Sequence, residues 1–355
     1  MIQRRKTKKI KAGNIFIGGN APISVQSMAK TDTRNVKATV KQIKKLEKIG
    51  CEIIRVAVPD MKAAQALGQI KRQINLPLVA DIHFSADLAL EAIKQNVDNL
   101  RINPGNIGSE EKIKAVVLAA SKKKIPIRIG VNAGSLEKDL LSKYGGKATA
   151  EAMVESAMKH IKILEKYNFQ NIIVSLKASD IERTIAAYRL LSQKVDYPLH
   201  LGITEAGTAF HGAVMSAIGL GILLDEGIGD TLRVSLCAPP EEEVMAAWEI
   251  LKSLQIRKRG VTIAACPTCG RAEIDLARLA KKVEKATRSI NKNIHLAVMG
   301  CVVNGMGEAR EADLAIVGGK KIGLIVKKGV IIKKAPEKNL FNEFIKELEK
   351  IVGKF

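Results

Sequence analysis

Eight short runs with β-strand character, separated by segments of helical periodicity, make up the chain as far as Leu254. Parallel strands need helical crossovers of this kind, and eight such units over roughly 250 residues have the size and order of a (β/α)8 barrel. An open doubly wound sheet is the alternative, although that fold does not require eight strands. The eight runs are ISVQSM, EIIRVAVP, LPLVADIHF, NLRINPG, PIRIGVN, NIIVSLKAS, PLHLGITEAG and TLRVSL.

A different pattern follows the basic connector SLQIRKRG. VTIAA, IHLAVMG, ADLAIVG and KIGLIVKKGVII have strand character, whereas AEIDLARLAKKVEKATRSI and NLFNEFIKELEKIV have the periodicity of helices. About 100 residues with their own apolar periodicity predict a separate domain. We therefore predict a TIM barrel over residues 1–255 and a small α/β domain over residues 256–355.

One pattern recurs in four of the barrel strands, namely an arginine between two apolar residues, at Arg55, Arg101, Arg128 and Arg233. Successive side chains of a strand point to opposite faces, so each arginine points into the barrel if its apolar neighbours pack under the helices. Barrel interiors are ordinarily filled by Val, Ile and Leu, and active sites lie at the C-terminal ends of the strands. The same parity directs further polar side chains to this region: Asp81, His83, Asn103, Asn132, Ser175, Lys177 and Ser235.

The inward-facing charges do not balance. The four arginines and Lys177 face only Asp81 and Glu205, an excess of three positive charges. Burying that excess without a partner costs on the order of several kcal/mol, so we expect an anionic ligand, and arginine suits phosphate or diphosphate oxygens. Internal ion pairs that only hold the barrel together are the alternative. Glu205 ends the seventh strand, where it either transfers a proton during catalysis or only balances charge.

Three cysteines of the C-terminal segment have the spacing of metal ligands. Cys266 and Cys269 form a Cys-x2-Cys motif, and Cys301 follows farther along the chain. Both the motif and Cys301 come just after a β-type run. A structural zinc site needs a fourth Cys or His, and only His295 is near, inside a strand pattern. Three thiolates with one non-thiol ligand instead suit a cubane iron–sulfur cluster with one exchangeable iron.

The loop CVVNGMGEA supplies a candidate for the fourth ligand. We expect Gly305 and Gly307 to let the backbone turn tightly, so that Glu308 reaches back to the metal. A carboxylate is a hard ligand on a soft cluster, so a substrate oxygen should displace it. The other two cysteines, Cys51 and Cys237, belong to the barrel region, and we expect both to be buried as small hydrophobic residues.

Composition limits the classes of partner. No uninterrupted run of 18 apolar residues exists and no signal-type segment follows the basic start, so we expect a soluble, cytoplasmic protein without membrane contact. The net charge is +22, but aromatic residues are only 3% of the chain and few bases could stack on them, so nucleic acid is not the expected partner. Acidic small molecules and acidic proteins remain the expected partners.

With these residues assembled, the chain resembles the family of bacterial 4-hydroxy-3-methylbut-2-enyl diphosphate synthases of the methylerythritol phosphate route to isoprenoids. The resemblance spans nearly the whole chain and rests on the joint occurrence of motifs in the family's order. They are VQSM, VADIHF, RINPGN, ITEAG, SAIGLG, EGIGDTLRVSL, ACPTCGR and GCVVNG.

The resemblance implies a [4Fe-4S] cluster held by Cys266, Cys269, Cys301 and Glu308. It also implies that the barrel binds a cyclic diphosphate and that Glu205 is the acid/base residue. The diphosphate contacts would come from Arg55, Arg101, Arg128, Lys177 and Arg233, with Asn103, Asn132, Thr204 and Ser235 nearby.

The implied reaction is reductive ring opening and dehydration of 2-C-methyl-D-erythritol 2,4-cyclodiphosphate, with two electrons from reduced flavodoxin or ferredoxin. The implied assembly is a homodimer in which each cluster domain caps the partner's barrel. One departure is Met306, where the family loop usually has proline, and loss of proline's fixed φ predicts a looser turn.

Two other functions compete with this one. A phosphate- or pterin-ligand barrel whose C-terminal module is stabilised by zinc would share the fold. A basic nucleic-acid-binding protein is the third possibility, and steep salt dependence of binding would identify it.

Overall fold

A computed structural model describes residues 2–320 and 322–355 of the chain. The chain forms two compact units, the first ending at Arg257 and the second beginning at Lys258. Each unit has its own sheet and its own apolar core.

The first unit is a parallel eight-stranded barrel, which confirms the predicted fold class. A small antiparallel hairpin, β1 (Ile10–Ala12) and β2 (Ile15–Ile17), precedes it. The barrel strands are β3 (Ser24–Met28), β4 (Ile53–Ala57), β5 (Leu78–Asp81), β6 (Asn99–Ile102), β7 (Ile127–Asn132), β8 (Ile172–Lys177), β9 (His200–Leu201) and β10 (Thr231–Leu232).

The eight strands correspond one to one with the eight predicted runs. They follow one another around the barrel in chain order from β3 to β8, and β10 pairs with both β3 and β9. A parallel bridge between Val174 and Leu199 joins β8 to the start of β9 and closes the ring. The open-sheet alternative is therefore excluded.

Helices lie between the strands, as the periodicity predicted. They are α1 (Val36–Lys48), α2 (Met61–Lys71), α3 (Ala86–Lys94), α4 (Glu110–Lys122), α5 (Lys138–Lys143), α6 (Ala150–Glu165), α7 (Ile181–Ser192), α8 (Ala209–Asp225) and α9 (Pro240–Ser253).

Helix α1 shows how local sequence sets these boundaries. The Asn35 side chain accepts a hydrogen bond from the Ala38 N–H, a cap worth about 1 kcal/mol. Val40 and Ile43 recur on the buried face, and the helix ends just before Gly50, whose φ of 104° suits a residue without a β-carbon. The amphipathic stripe and the two end signals together define the helix.

The N-terminal end of the barrel is closed by apolar packing. Ile10 and Ile17 of the hairpin pack with Ile53, Val79 and Ile173 from the barrel strands. These five side chains are each at most 3% exposed. The inward arginines Arg55 and Arg101 lie farther along their strands than this apolar layer, and Arg233 follows the end of β10.

The second unit is a five-stranded mixed sheet with helices on both faces. Its strands are β11 (Val261–Ala265), β12 (Ile294–Met299), β13 (Leu314–Gly319), β14 (Ile322–Lys327) and β15 (Val330–Pro336), in that spatial order. The first three are parallel and the last two are antiparallel additions. The helices are α10 (Leu276–Thr287), α11 (Val302–Glu311) and α12 (Glu337–Val352).

Two apolar layers hold this sheet. Val283 of α10 and Phe344 of α12 pack on one face, whereas Ala309 of α11 packs on the other with Ala297 and Val317. Of the helices within residues 2–320 and 322–355, none is long and apolar enough to cross a membrane.

Candidate active site

A polar pocket of about 120 Å3 opens at the C-terminal ends of the barrel strands. Strand pairing aligns its members, because Asp81 pairs with Arg101 and Asn132 pairs with Lys177 across neighbouring strands. Nine of the residues predicted from strand parity, together with Thr204, which the family resemblance added, therefore line one pocket. They are Arg55, Asp81, His83, Arg101, Asn132, Ser175, Lys177, Thr204, Arg233 and Ser235.

Asp81 is the carboxylate at the centre of one cationic group. Its oxygens lie 3.4 Å from Arg101 Nη1, 3.8 Å from Arg55 Nε and 3.6 Å from His83 Nε2. Burial alone would raise the pKa of Asp81, but Arg55, the His83 hydrogen bond and Arg101 together hold that pKa below its usual value. Asp81 is therefore an anion that orients the arginines.

Arg233 is held by a carboxylate that the sequence interpretation missed. Glu243 of α9 is 1% exposed, and its Oε2 accepts hydrogen bonds of 3.2 Å from both Nε and Nη2 of Arg233. Lys30 Nζ lies 3.3 Å from the other oxygen. The available signal was helical spacing, because Glu243 shares the buried face of α9 with Val244, Ala247 and Leu251.

This pairing corrects the predicted charge balance. Glu243, rather than Glu205, is the second buried carboxylate beside the arginines. The excess remains, since four arginines and Lys177 still face two carboxylates. Burial, then the neighbouring Arg55 and Arg233, lowers the pKa of Lys177 well below its usual value. Burial likewise lowers the pKa of Arg55, to about 10. A bound anion would relieve this repulsion.

Two inward-facing glycines provide the room for the cations, and the sequence interpretation missed both. A β-carbon added to Gly130 would lie 2.3 Å from Arg101 Nε, and one added to Gly202 would lie 2.5 Å from Lys177 Nζ. Both occupy inward positions of β-runs, where glycine signals close approach of another group. That pattern could have identified them.

Two residues that were predicted to lie at the diphosphate are behind the pocket wall. Arg128 is 2% exposed and donates to Gln26 Oε1 at 2.5 Å, deeper in the barrel. Asn103 Oδ1 accepts a hydrogen bond of 2.9 Å from the Gly130 N–H, joining the ends of β6 and β7. Neither residue lines the pocket, so Arg128 supports it from below and Asn103 from behind its wall.

Glu205 does not lie among the arginines as expected. It is exposed, it is not one of the lining residues, and its φ of 55° is in the left-handed region. Its neighbour Thr204 does line the pocket. Because Glu205 is exposed and makes none of the ion pairs of the arginines, the charge-balancing alternative is not supported.

The three C-terminal cysteines lie at one edge of the second sheet. β11 and β12 are parallel neighbours, and the Cys266 N–H donates to Val298 O at 3.1 Å, so Cys266 and Cys301 follow the C-terminal ends of adjacent strands. The loop that carries Cys269 folds back here, because the Glu273 N–H donates to Gly300 O at 3.1 Å. Cys266 and Cys301 are half-buried and Cys269 is exposed.

The segment after Cys301 corrects another expectation. Residues 302–311 form helix α11 rather than a tight turn, and neither Gly305 nor Gly307 has positive φ. Glycine at position 305 lets the helix pack closely on β13, because an added β-carbon would lie 2.5 Å from Val317 Cγ1. Glu308 is an exposed residue of α11, seven residues after Cys301, which is the N-cap of this helix.

The donor set fits an iron–sulfur cluster better than zinc. His295 lies at the start of β12 and Cys301 beyond its end, so His295 is too far away to complete a Cys3His site. Within residues 2–320 and 322–355, no three Cys, His, Asp or Glu side chains surround a single metal-ion position. A multi-iron cluster spreads its thiolates farther apart than one ion does, and three free thiols at one sheet edge suit it.

The two cysteines of the barrel domain differ in burial. Cys51 is buried as expected, and burial raises its pKa to about 12. Cys237 is exposed, so the expectation of a buried small residue is wrong there.

Comparison with known protein families decides the assignment of these features. Residues 7–248 match the GcpE TIM-barrel domain, and residues 262–350 match the GcpE protein C-terminal domain. The chain belongs to the GcpE family. Enzymes of this family are iron–sulfur proteins.

Two relatives show how completely the GcpE resemblance covers the chain. The 4-hydroxy-3-methylbut-2-en-1-yl diphosphate synthase (flavodoxin) of Geobacter sulfurreducens is 56% identical over 350 residues, covering 99% of each chain. The enzyme of the same name from Thermodesulfovibrio yellowstonii is 58% identical over 350 residues, covering 99% of this chain and 100% of that one.

The fold of this GcpE chain is similar to that of a solved structure at much lower identity. The N-acetylneuraminic acid synthetase of Leptospira borgpetersenii serovar Hardjo-bovis has a TM-score of 0.52 and 13% identity, covering 81% of this chain and 99% of that protein. Likeness at this identity concerns the fold alone.

Proposed function

We propose that this GcpE chain reduces 2-C-methyl-D-erythritol 2,4-cyclodiphosphate to 4-hydroxy-3-methylbut-2-enyl diphosphate. Two electrons and two protons open the ring and release one water. The observation that carries the proposal is the cationic pocket of a chain whose full-length relatives bear that enzyme's name. The phosphate- or pterin-ligand barrel with a zinc module explains the pocket but not the C-terminal match.

The barrel domain supplies the diphosphate site. Arg55, Arg101, Lys177 and Arg233 present charge to phosphate oxygens, and arginine does so with paired, planar donors. Asp81 and Glu243 hold the arginines in place before substrate arrives, so little reorganisation is needed on binding. The other six lining residues complete the pocket wall, and Arg128 and Asn103 support it.

The C-terminal domain holds the cluster. We assign Cys266, Cys269 and Cys301 as ligands of a [4Fe-4S] cluster, with Glu308 as the exchangeable fourth ligand. When bound, the cluster supplies single electrons and a Lewis-acidic iron. Cys301 is the N-cap of α11 and Glu308 lies in that helix, which supports the assignment, and α11 must adjust for the Glu308 carboxylate to reach an iron.

Glu205 is the proposed proton carrier. Its carboxylate is exposed at the barrel mouth next to the lining residue Thr204, so it can exchange protons with solvent and deliver one to the departing oxygen. The left-handed backbone at Glu205 sets the direction in which its side chain leaves the strand end. Glu205→Gln should lose turnover while retaining affinity for the cyclic diphosphate.

Reduced flavodoxin is the proposed electron donor, with ferredoxin as the alternative. The names of the relatives include flavodoxin, and the net charge of +22 favours an acidic carrier. The carrier and the free thiols support a cytoplasmic location. Turnover should be measured with reduced flavodoxin and with reduced ferredoxin, and the carrier that supports the faster turnover is the donor.

The decisive experiment is anaerobic purification, iron and sulfide analysis, and assay with reduced flavodoxin. We expect a brown protein that absorbs near 400 nm and converts the cyclic diphosphate. Cys301→Ser should lose the cluster, whereas the matched control Cys237→Ser, an exposed cysteine of the barrel domain, should keep it. A colourless zinc protein without turnover would reject the proposal.

We further propose a homodimer in which each cluster domain caps the partner's barrel. Co-expression of Glu205→Gln with Cys301→Ser tests this arrangement. Random pairing gives half mixed dimers, each with one intact site, so roughly a quarter of wild-type activity should return from two inactive parents. No recovery in cluster-loaded mixed dimers would reject capping in trans.

A further inference from the structure

A buried histidine outside the pocket joins two loops at the barrel mouth. His160 of α6 is 2% exposed, and its Nδ1 accepts a hydrogen bond of 3.1 Å from the Gly105 N–H. Since Nδ1 is the acceptor, Nε2 carries the proton of the neutral ring and donates to Glu137 Oε1 at 3.1 Å. Gly105 belongs to the loop after β6 and Glu137 to the loop after β7.

The contacts around His160 are specific rather than merely space-filling. Ser156, one helical turn earlier on α6, donates to Glu137 Oε2 at 2.9 Å, so two side chains of one helix hold the same carboxylate. The hydrogen bond from His160 is the main reason that the pKa of Glu137 is lowered to about 2. A β-carbon added to Gly105 would lie 2.9 Å from His160 Cε1, so the loop fits closely on the ring.

Both loops begin at residues of the active site. Gly105 is two residues after Asn103, whose Oδ1 accepts the Gly130 N–H at 2.9 Å. Gly130 O in turn accepts a hydrogen bond of 2.7 Å from Arg101 Nη2. Glu137 is five residues after Asn132, which lines the pocket. The imidazole therefore lies behind the wall that holds Arg101.

We propose that His160 is a positioning residue for anion binding, fixing through Gly105 and Glu137 the two loops that follow Asn103 and Asn132. It touches neither the pocket nor the reacting atoms and acts only through these loops. The identity of the anion rests on the proposed function, whereas the bridge between the loops does not.

Three variants separate the two hydrogen bonds. His160→Asn keeps an acceptor near the position of Nδ1, His160→Gln keeps a donor near the position of Nε2, and His160→Leu removes both. Calorimetric titration of the cluster-loaded protein with inorganic pyrophosphate should show a dissociation constant raised roughly fivefold or more in His160→Leu, and less in the other two. Ile161→Val, a buried neighbour on α6, is the control and should leave this constant unchanged.

Amide hydrogen exchange gives a readout that needs no ligand. The Gly105 N–H should exchange faster than in wild type in His160→Gln and His160→Leu, but should stay protected in His160→Asn. If the Leu variant does not fold, the contrast between Asn and Gln decides the question. Equal exchange in those two variants overturns the bridge.

The binding measurements separate the remaining outcomes. Folded His160 variants that all bind pyrophosphate as wild type does would reduce His160 to a core residue and overturn the inference. If wild-type protein itself binds neither pyrophosphate nor the cyclic diphosphate, the proposed function fails and with it the positioning role. In that case the Gly105 exchange pattern reports on the loop bridge alone.

Discussion

Substitution of Gly130 by alanine should weaken substrate binding without unfolding the barrel. The new β-carbon would lie 2.3, 2.7 and 2.8 Å from three atoms of one guanidinium, that of Arg101. Ordinary contact begins at 3.4 Å, so the guanidinium must move by about 1 Å. Gly130 does not have positive φ, so alanine is compatible with the backbone.

The magnitude follows from what Arg101 loses. Its Nη2 now donates to Gly130 O at 2.7 Å and its Nη1 lies 3.4 Å from Asp81, and both contacts change when the group moves. A displaced guanidinium should lose one hydrogen bond to a phosphate oxygen. A hydrogen bond to a charged group contributes about 1.5–3 kcal/mol, so the dissociation constant of the diphosphate should rise by roughly 10- to 150-fold. Stability should fall much less, because the obstructing atoms are the flexible end of a side chain.

Titration calorimetry with pyrophosphate and thermal unfolding of the same samples measure the two effects separately. Gly221→Ala is the matched control, because an added β-carbon on that residue of α8 meets no atom within 4 Å. Alanine there should leave binding unchanged and slightly raise the melting temperature. A Gly130→Ala protein that folds and binds pyrophosphate within twofold of wild type would refute the assignment of Arg101 to the anion site.

Three further outcomes are expected. Pyrophosphate binding should be accompanied by proton uptake at Lys177 below the ordinary pKa of lysine, because the pKa of Lys177 is lowered in the free protein and a bound anion raises it. Calorimetry in two buffers of different ionisation enthalpy measures this uptake, and Lys177→Met should abolish it. Glu243→Ala should lower the free energy of unfolding of the barrel by about 3–5 kcal/mol, because it leaves Arg233 buried without its partner, and urea denaturation measures the loss. Met306→Pro should destabilise the cluster-free C-terminal domain by about 3 kcal/mol, because position 306 lies inside α11; unchanged thermal unfolding would mean that this segment is a turn in solution.

Much of the barrel could be predicted from the sequence because its signals are local. Each strand run is short and apolar, each helix carries its own stripe and caps, and the period of two fixes which side chains face inward. The four arginines were found in this way, and ten predicted residues line one pocket. Strand parity placed nine of them, and the family resemblance added Thr204.

The exceptions involve the partner of a side chain or the course of a connection. Helical spacing could have marked Glu243 as buried, but no local pattern specifies its contact with Arg233. Glu205 has a left-handed backbone and lies outside the arginine group. The segment after Cys301 continues as a helix because Gly305 permits close packing on β13. Two glycines that suggested a turn by composition serve a packing contact and an exposed helix face instead.

The sequence by itself determined the number of strands, the inward direction of the cations and the spacing of the three C-terminal cysteines, since each depends on residues near one another in the chain. Only the tertiary structure decided which carboxylates balance those cations, how much room Gly130 and Gly202 leave them, and how His160 joins the mouth loops. The physical reason is that charge compensation and steric fit depend on distances between groups far apart in sequence, and folding alone fixes those distances.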